Sequence, residues 1–295
     1  MRPDNLRAAL VLTFGMLAFA MEDVLIKVLA GELPHAQVLA IIGGAGTLVF
    51  GALLRLGGGR FWTRHLLHPA VVLRNLAEAV AAVAIVLALA LTDLSTTAAI
   101  MQAAPLFITL GAAAFLGEAF RWRRGIAIGL GFLGVLMILR PGMAGFQPAA
   151  LWAVLSALAL AARDLATRRI PAGMRSLQIS TSAFVAVLIA SLLMGLALGE
   201  PPARMDATQG VLALGCVAMT VIGYSCLVSA TRIGEASALA PVRYSRLVFA
   251  FILAAAVLGE GFDLLTLLGA AIIVGSGCYM IWRETRLAGR RPIRA

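Results

Sequence analysis

Nine charged side chains lie inside long apolar stretches of the sequence, where a charge is expensive unless it has a partner. In a hydrocarbon layer a charged side chain costs about 2.5 to 3.5 kcal/mol at the centre of a helix. Four of the nine are acidic and five are basic, which favours mutual pairing over a pore lined by one sign of charge: Glu22, Asp23, Glu78, Asp164, Lys27, Arg74, Arg163, Arg243 and Arg246.

The near balance of these charges also suits a zwitterionic ligand. Arginine binds a carboxylate through paired hydrogen bonds, whereas an ammonium group binds carboxylates, carbonyls or aromatic faces. Glu78 is the strongest acidic candidate for binding the ammonium group, because it lies a full turn deeper in its apolar stretch than Arg74. The charges therefore indicate a polar cavity that holds a small zwitterion.

Spacing predicts which charges meet on one helix. Asp23 and Lys27 are four residues apart, as are Arg74 and Glu78, so each pair lies on one helical face. A pair of this kind is predicted to reduce the cost of insertion into the membrane. For Asp23 and Lys27 two interpretations remain open: a salt bridge that only orients helices, or a charged wall of a substrate path.

Two proline-containing apolar stretches resemble each other and are predicted to border the cavity. Residues 236–260 contain Pro241, Arg243 and Arg246, and the two arginines share one helical face. Residues 97–118 contain Gln102 and Pro105 one turn apart. Because proline has no N–H, Pro105 leaves a carbonyl one turn earlier unbonded, and a cavity satisfies such a group where lipid does not.

These considerations give two sets of candidate residues. Those predicted to reach the cavity and bind substrate are Glu78, Gln102, Arg163, Tyr244 and Arg246. Those predicted to shape the cavity or to act as gates are Glu22, Asp23, Pro105, Asp164, Pro241 and Arg243.

Catalytic chemistry has little support in the sequence. It contains no nucleophile elbow, Walker loop or HExxH motif, and its three cysteines have no paired loop spacing. We therefore expect no enzyme activity, no cofactor and no metal, and we expect transport to be driven by gradients.

The composition is that of a membrane protein. Apolar residues make up 61%, charged residues 13%, and the mean hydropathy is +0.97. Ten apolar segments of about 18 to 25 residues each match the hydrocarbon thickness of a bilayer: 7–30, 36–56, 69–92, 95–117, 122–140, 148–168, 176–199, 208–231, 235–259 and 264–282.

The net charge of +10 follows from topology and does not indicate nucleic-acid binding. With ten spans, most arginines fall in connections on the side of both termini, and the opposite side holds only Arg140 and Arg204. By the positive-inside rule both termini are cytoplasmic. The expected location is the bacterial inner membrane, with the lipid bilayer and a small-molecule substrate as partners. The oligomeric state stays open, and a monomer is compatible with the sequence.

The chain contains an internal repeat. At an offset of 141 residues Asp23 aligns with Asp164, Lys27 with Arg168, and Gln37 with Gln178, while Glu118 precedes Glu260 by 142. Residues 1–142 and 143–295 are therefore predicted to be two five-helix repeats, and since five is odd the second is inverted. The predicted fold is all-α and integral to the membrane, with ten transmembrane helices.

Glycines in the second and fifth spans predict close helix packing. They are Gly43, Gly44 and Gly46 in the second span and Gly125, Gly129, Gly131 and Gly134 in the fifth.

Three segments carry a resemblance to a known family: LTDLSTTAAIMQAAPLFITLGAAAFLGE, GFLGVLMILRPG and EASALAPVRYSRLVFAFILAAAVLGE. Through them the chain resembles the drug/metabolite transporter superfamily, EamA type, over nearly its full length. The resemblance implies a central cavity built by spans one, three, four, six, eight and nine. The APVRYSR segment is similar to S-adenosylmethionine carriers, whereas Ile42-Gly43-Gly44 departs from the arginine that many relatives have there and is closer to amino-acid exporters.

We therefore predict a secondary transporter that works by alternating access. An exporter of amino acids, including aromatic ones, or of similar zwitterions is favoured. The alternative within transport is an uptake carrier for S-adenosylmethionine, riboflavin or another metabolite. The alternative from another class is a membrane scaffold or lipid-handling protein that moves no solute.

Overall fold

The computed structural model describes residues 4–116, 122–143, 146–171, 173–234, 239 and 241–288. These residues form helices joined by turns and contain no β-strand, which confirms the predicted all-α class. The helices are α1 (Asn5–Glu32), α2 (His35–Leu56), α3 (Pro69–Leu91), α4 (Leu94–Met101), α5 (Ala104–Leu116), α6 (Trp122–Leu139), α7 (Leu151–Thr167), α8 (Ser176–Leu198), α9 (Ala207–Ile233), α10 (Ser245–Leu258) and α11 (Leu264–Ala288).

The ten predicted spans are present in the described part of the chain. Nine segments have the length and hydropathy of a membrane span, and Gly125–Leu139 is a shorter tenth apolar helix. The fourth span is built from α4 and α5, and the ninth from a 3-10 turn, Pro241–Tyr244, followed by α10. Because ten crossings return the chain to its starting side, the beginning of α1 and the end of α11 share one side, here named the terminus face. The other side is the distal face.

The distribution of side chains is the reverse of that in a water-soluble protein. Leu48, Leu193 and Leu214 are 74%, 61% and 71% exposed along the outside of their helices, whereas Asp23 and Arg74 are only 5% and 7% exposed. Exposed leucines at this density are stable against lipid, and charges are stable only where protein surrounds them. The chain is a multi-pass membrane protein.

The fourth span is interrupted where the sequence predicts a freed carbonyl. α4 ends at Met101, and the amides of Gln102 and Ala103 bond three residues back, to Ala99 and Ile100, at 3.2 and 2.9 Å. These tighter bonds end the helix before Pro105, which lies in the first turn of α5, where a missing N–H is harmless. The Met101 carbonyl thus has no amide donor four residues on.

Helix packing relates the two halves by an approximate two-fold axis. The first span packs on the eighth (α1 on α9), and the third packs on the sixth (α3 on α7), which is the same contact with the halves exchanged. The second and seventh spans (α2, α8), the fourth and ninth (α4, α10) and the fifth and tenth (α6, α11) pack on their own counterparts. Since each half has five spans, the second crosses the membrane in the opposite sense. The division at residues 142 and 143 stays a prediction.

Two glutamines that align in the repeat make matching hydrogen bonds at opposite faces. Gln37, at the start of α2, donates from Nε2 to the Ala203 carbonyl at 2.9 Å on the distal face. Gln178, at the start of α8, donates from Nε2 to the Phe61 carbonyl at 2.9 Å and to Thr63 Oγ1 at 2.7 Å on the terminus face. Each glutamine therefore fastens the loop contributed by the other half.

Several glycines allow close helix contacts, as predicted. A Cβ at Gly134 would lie 2.7 Å from the Gly269 carbonyl oxygen, and one at Gly43 would lie 2.7 Å from the Leu188 nitrogen. A Cβ at Gly46 would overlap the Phe184 side chain, and one at Gly131 would overlap the Leu106 side chain. Two predicted packing glycines differ. A Cβ at Gly44 would make only an ordinary contact, at 3.9 Å, and a Cβ at Gly129 would have no neighbour within 4 Å among the described residues.

Alanine substitutions at Gly134 and Gly129 are expected to change stability in opposite directions. Gly134→Ala forces α6 away from α11 and costs about 1 to 3 kcal/mol as overpacking. Gly129→Ala places its methyl group in open space and gains up to about 1 kcal/mol from helix propensity. Thermal unfolding of the two purified variants in detergent measures the difference. Equal melting temperatures would contradict the α6–α11 backbone contact.

Candidate functional site

A buried ion pair joins the first span to the ninth. Arg246 of α10 binds both oxygens of Asp23 in α1, with Nη2 2.7 Å from Oδ1 and Nε 3.1 Å from Oδ2. The guanidinium also lies 5.3 Å from the centre of the Phe19 ring, one turn earlier in α1. Paired hydrogen bonds to a buried carboxylate are strong and directional, so this contact fixes α10 against α1.

The predicted Asp23–Lys27 pair is wrong. Lys27 lies one turn nearer the distal face and donates to the carbonyls of Leu89 and Thr92, at 3.2 and 2.6 Å. Its Nζ is also 3.9 Å from Oε1 of Glu260. The two charges share a face of α1, but neighbouring helices offer each a partner with better geometry.

Glu260 links three helices at the distal face. Its carboxylate accepts from the amides of Leu94 and Ser95 at 2.7 and 3.0 Å and from the Ser95 hydroxyl at 2.8 Å. These amides open α4, where the first four N–H groups have no partner within the helix. Together with Lys27, these contacts close the distal ends of α1, α4 and α10. Glu118, which aligns with Glu260 in the repeat, lies outside the described residues.

Glu22, next to Asp23, turns toward the eighth span. Its Oε1 lies 2.7 Å from the Thr220 hydroxyl of α9, and its side chain is buried. Glu22, Asp23 and Arg246 with Phe19 and Thr220 are named the α1–α10 cluster.

A second set of charges joins the third span to the sixth, nearer the terminus face. Glu78 of α3 is 3.2 Å from Nη2 of Arg74 and 3.3 Å from Nη1 of Arg163 in α7. Arg163 Nη2 is in turn 2.8 Å from the Asp164 carboxylate. The predicted pairing of Arg74 with Glu78 is confirmed, and Glu78 is shared by arginines from both halves.

Arg243, in the 3-10 turn of the ninth span, belongs to this second set. It is exposed and interacts electrostatically with Asp164 and Arg163. No hydrogen bond or close ion pair links it to another residue that the structure describes. Arg74, Glu78, Arg163, Asp164 and Arg243 are named the α3–α7 cluster, and within it Arg243 is the exposed cation.

Two predicted binding residues lie apart from these clusters. The Gln102 amide is at the break between α4 and α5, and its buried Nε2 has no hydrogen-bond partner among the described residues. The Tyr244 hydroxyl packs on Gly277 of α11, on the side of the ninth span away from α1. Pro105 lies in the first turn of α5, and Pro241 begins the 3-10 turn of the ninth span. The structure thus brings Glu78 and Arg163 together in the α3–α7 cluster and places Arg246 in the α1–α10 cluster, while Gln102 and Tyr244 belong to neither.

Sequence reasoning missed several members of the site. Phe19 is four residues before Asp23, a spacing that marks it as a neighbour on the same face. Thr220 is one of several hydroxyl residues in α9, and nothing in the sequence singles it out. The Glu260 contact depends on how α4 and α10 cross, which sequence spacing does not specify.

A cavity of about 190 Å³ opens at the distal face, away from both clusters. Asp93, Ser95, Gln147 and Thr266 are among its lining residues, together with Arg140 and Asp263, which form an ion pair. Among the described residues there is no group of three His, Cys, Asp or Glu side chains suited to a metal ion.

Comparison with known proteins gives the family. The EamA-like transporter family matches residues 6–140 and again residues 147–283. The chain belongs to the EamA-like transporter family. An EamA-like chain of two family units accounts for the ten apolar helices and confirms the resemblance found in the sequence.

Relatives of this EamA-like chain are also named as transporters. It is 26% identical over 203 residues to the S-adenosylmethionine uptake transporter of Rickettsia felis, covering 69% of this chain and 68% of the relative. The corresponding protein of Rickettsia bellii is 27% identical over 212 residues, covering 69% of each chain. A riboflavin transporter of Rhizobium johnstonii is 44% identical, but over only 70 residues, 24% of this chain and 23% of that one.

A solved structure shares the fold of this chain. A crystal structure described as "Crystal structure of protein" superposes with a TM-score of 0.58 at 19% identity, covering 95% of this chain and 98% of the other. Family and relatives together indicate a small-molecule transporter of the membrane.

Proposed function

We propose that this protein is a secondary transporter that exports amino acids, including aromatic ones, or similar small zwitterions by alternating access. The observation that carries the proposal is that the ninth span joins two charged clusters, one with more arginines than carboxylates and one with more carboxyl groups than arginines. We also propose that both termini are cytoplasmic, which is supported by described arginines at the terminus face such as Arg55, Arg64 and Arg175.

The charges of the two clusters match the two ends of an amino acid. The α3–α7 cluster contains three arginines and two carboxylates, an excess of one positive charge. The α1–α10 cluster contains two carboxylates and one arginine, an excess of one negative charge when both acids are ionised. A substrate carboxylate is drawn to the first and an ammonium group to the second.

The ninth span sets the distance between the clusters. Arg243 lies in the 3-10 turn and Arg246 in the first turn of α10, one in each cluster, and three residues rise about 4.5 to 6 Å along helices of these two kinds. This separation suits a small molecule whose opposite charges lie close together. Phe19 adds an aromatic face beside Arg246.

Alternating access requires each face to close in turn. At the distal face Lys27 and Glu260 hold α1, α4 and α10 together in this structure. We infer that substrate enters from the terminus face while these contacts hold and leaves when they break. Two further pairs that join the two halves, Asp23–Arg246 and Glu78–Arg163, also change between the two states.

Substrate exchange by purified protein tests the proposal. Liposomes that contain the protein and labelled phenylalanine are expected to release label faster when unlabelled phenylalanine is added outside. Arg204→Gln, a neutralisation in the distal loop away from both clusters, should behave as wild type. Equal release from protein-containing and empty liposomes, across the amino acids, would reject amino-acid transport.

A second candidate is uptake of S-adenosylmethionine, and the Rickettsia relatives favour it. That molecule has the same α-amino-acid group, so it presents an ammonium group and a carboxylate to the clusters. It also adds a sulfonium cation. Competition separates the substrates. If S-adenosylmethionine or riboflavin blocks phenylalanine exchange and is itself exchanged faster, that compound would replace amino acids as the substrate. A scaffold would exchange none of them.

A further inference from the structure

Glu22 is a buried acid without a cation of its own. Its side chain is 9% exposed, and no basic group of the described chain lies within 4.0 Å of its carboxylate. Asp23, beside it, already takes hydrogen bonds from both Nε and Nη2 of Arg246. An ionised carboxylate in such a place is costly, and a neutral one is much less so.

The two short contacts of the Thr220 hydroxyl favour the protonated form of Glu22. The Thr220 Oγ1 lies 2.7 Å from Glu22 Oε1 and 2.9 Å from the Cys216 carbonyl oxygen. A hydroxyl group has one hydrogen. If Glu22 were ionised, the Thr220 hydroxyl would have an acceptor on each side and only one hydrogen to donate. If Glu22 carries a proton, its O–H donates to Thr220, and Thr220 donates to Cys216. Both short contacts are then satisfied.

The other titratable groups around Glu22 leave the proton in place. Asp23, Arg246 and Cys216 interact with it electrostatically, and Arg246 is the one cation of the three. α2 has no charged residue between its ends, and α4 has none. Other described charges on elements packed against α1 have partners elsewhere or lie at helix ends, and they include Lys27 on α1, Arg74 and Glu78 on α3, and Arg243 in the 3-10 turn.

We propose that Glu22 is the proton-binding residue of the transport cycle, and that its proton and the cationic group of the substrate occupy the α1–α10 cluster in turn. The exchange with substrate rests on the proposed function, whereas the bound proton does not. The cluster is neutral with Glu22 protonated, Asp23 ionised and Arg246 charged.

Loss of the proton creates the charge that receives substrate. When the O–H bond of Glu22 breaks and the proton leaves to water, the cluster carries one negative charge at a buried place. A cation must then take the proton's position, and an ammonium or sulfonium group supplies it. Deprotonated Glu22 also attracts Arg246 away from Asp23, which loosens α1 from α10. Proton and substrate therefore exchange one for one, in opposite directions.

Infrared difference spectroscopy of the full-length protein in lipid, without substrate, tests the bound proton. At neutral pH the wild type should show a carboxylic-acid carbonyl band that is lost in Glu22→Gln and kept in Glu32→Gln, a matched change at the exposed end of the same helix. Thr220→Val should shift the band, because the hydrogen bond from Glu22 is lost. A band unchanged by Glu22→Gln would overturn the proposal.

Proton release on substrate binding tests the exchange. Phenylalanine or S-adenosylmethionine, added to unbuffered protein in detergent, should release about one proton per bound molecule from wild type and from Glu32→Gln, and none from Glu22→Gln. Binding without release by wild type would overturn the exchange. If neither compound binds, the proposed function fails for them, and the infrared result still decides whether Glu22 holds a proton.

Discussion

Asp23→Asn is expected to reduce substrate exchange by about a hundredfold. The substitution leaves Arg246 beside α1 without its carboxylate. Removing one partner of a fully buried pair costs about 3 to 5 kcal/mol, and we expect the lower end of this range, about 3 kcal/mol, because the Arg246 side chain is 30% exposed and solvent screens part of the cost. If the conformation that contains the ion pair loses about 3 kcal/mol of stability, its population falls roughly a hundredfold relative to the other conformation. Exchange of labelled substrate by reconstituted protein measures the effect, and thermal unfolding in detergent should show a lower melting temperature.

Two further variants separate the ion pair from a general effect of losing an acid. Asp23→Asn combined with Arg246→Gln removes both charges, so it should recover stability and leave exchange low. Asp4→Asn neutralises an exposed residue that caps α1, where its carboxylate accepts from the Arg7 amide, so it should cost at most about 1 kcal/mol. Wild-type exchange in Asp23→Asn would exclude this pair from the mechanism.

Glu78→Gln is expected to reduce exchange at least tenfold. Glu78 neutralises both Arg74 and Arg163, so its loss leaves the α3–α7 cluster with three arginines and one carboxylate. Because Glu78 and Arg163 are about a quarter exposed, at 21% and 27%, solvent screens part of the cost, and we expect about 1 to 3 kcal/mol. The measurement is again exchange by protein reconstituted at equal amounts.

A compensating change tests whether charge balance is the reason. Arg74→Gln added to Glu78→Gln restores the original excess of one positive charge and should recover part of the exchange. If the double variant is no better than Glu78→Gln, the carboxylate itself contacts the substrate or a partner helix. Exchange at the wild-type rate in Glu78→Gln would remove Glu78 from the proposed site.

Hydropathy and repeat spacing predicted most of the fold. The observed helices begin and end within a few residues of the predicted spans, because lipid thickness sets their length directly. The break before Pro105 was also predictable, since the missing N–H is a local property. The aligned glutamines Gln37 and Gln178 could be paired in sequence, but the loops that they hold became visible only in the structure.

The site was less predictable, because its contacts join distant parts of the chain. The spacing rule succeeded for Arg74 and Glu78 and failed for Asp23, whose partner Arg246 is 223 residues away. Partner choice depends on how helices cross, and the same four-residue spacing fits either outcome. Tyr244 shows the same limit: in the sequence it lies between Arg243 and Arg246, yet its hydroxyl faces α11.

The carboxylate of Glu260 serves as the cap of α4, the counterion of Lys27 and the end of the ninth span. If α10 tilts away, two amides and one hydroxyl group of α4 lose their acceptor at the same moment, and the Lys27 ammonium group loses its counterion. No helix can leave by itself without bearing the whole of that cost. The outer seal is therefore expected to open as an all-or-none event, with a steep barrier and few partly opened molecules.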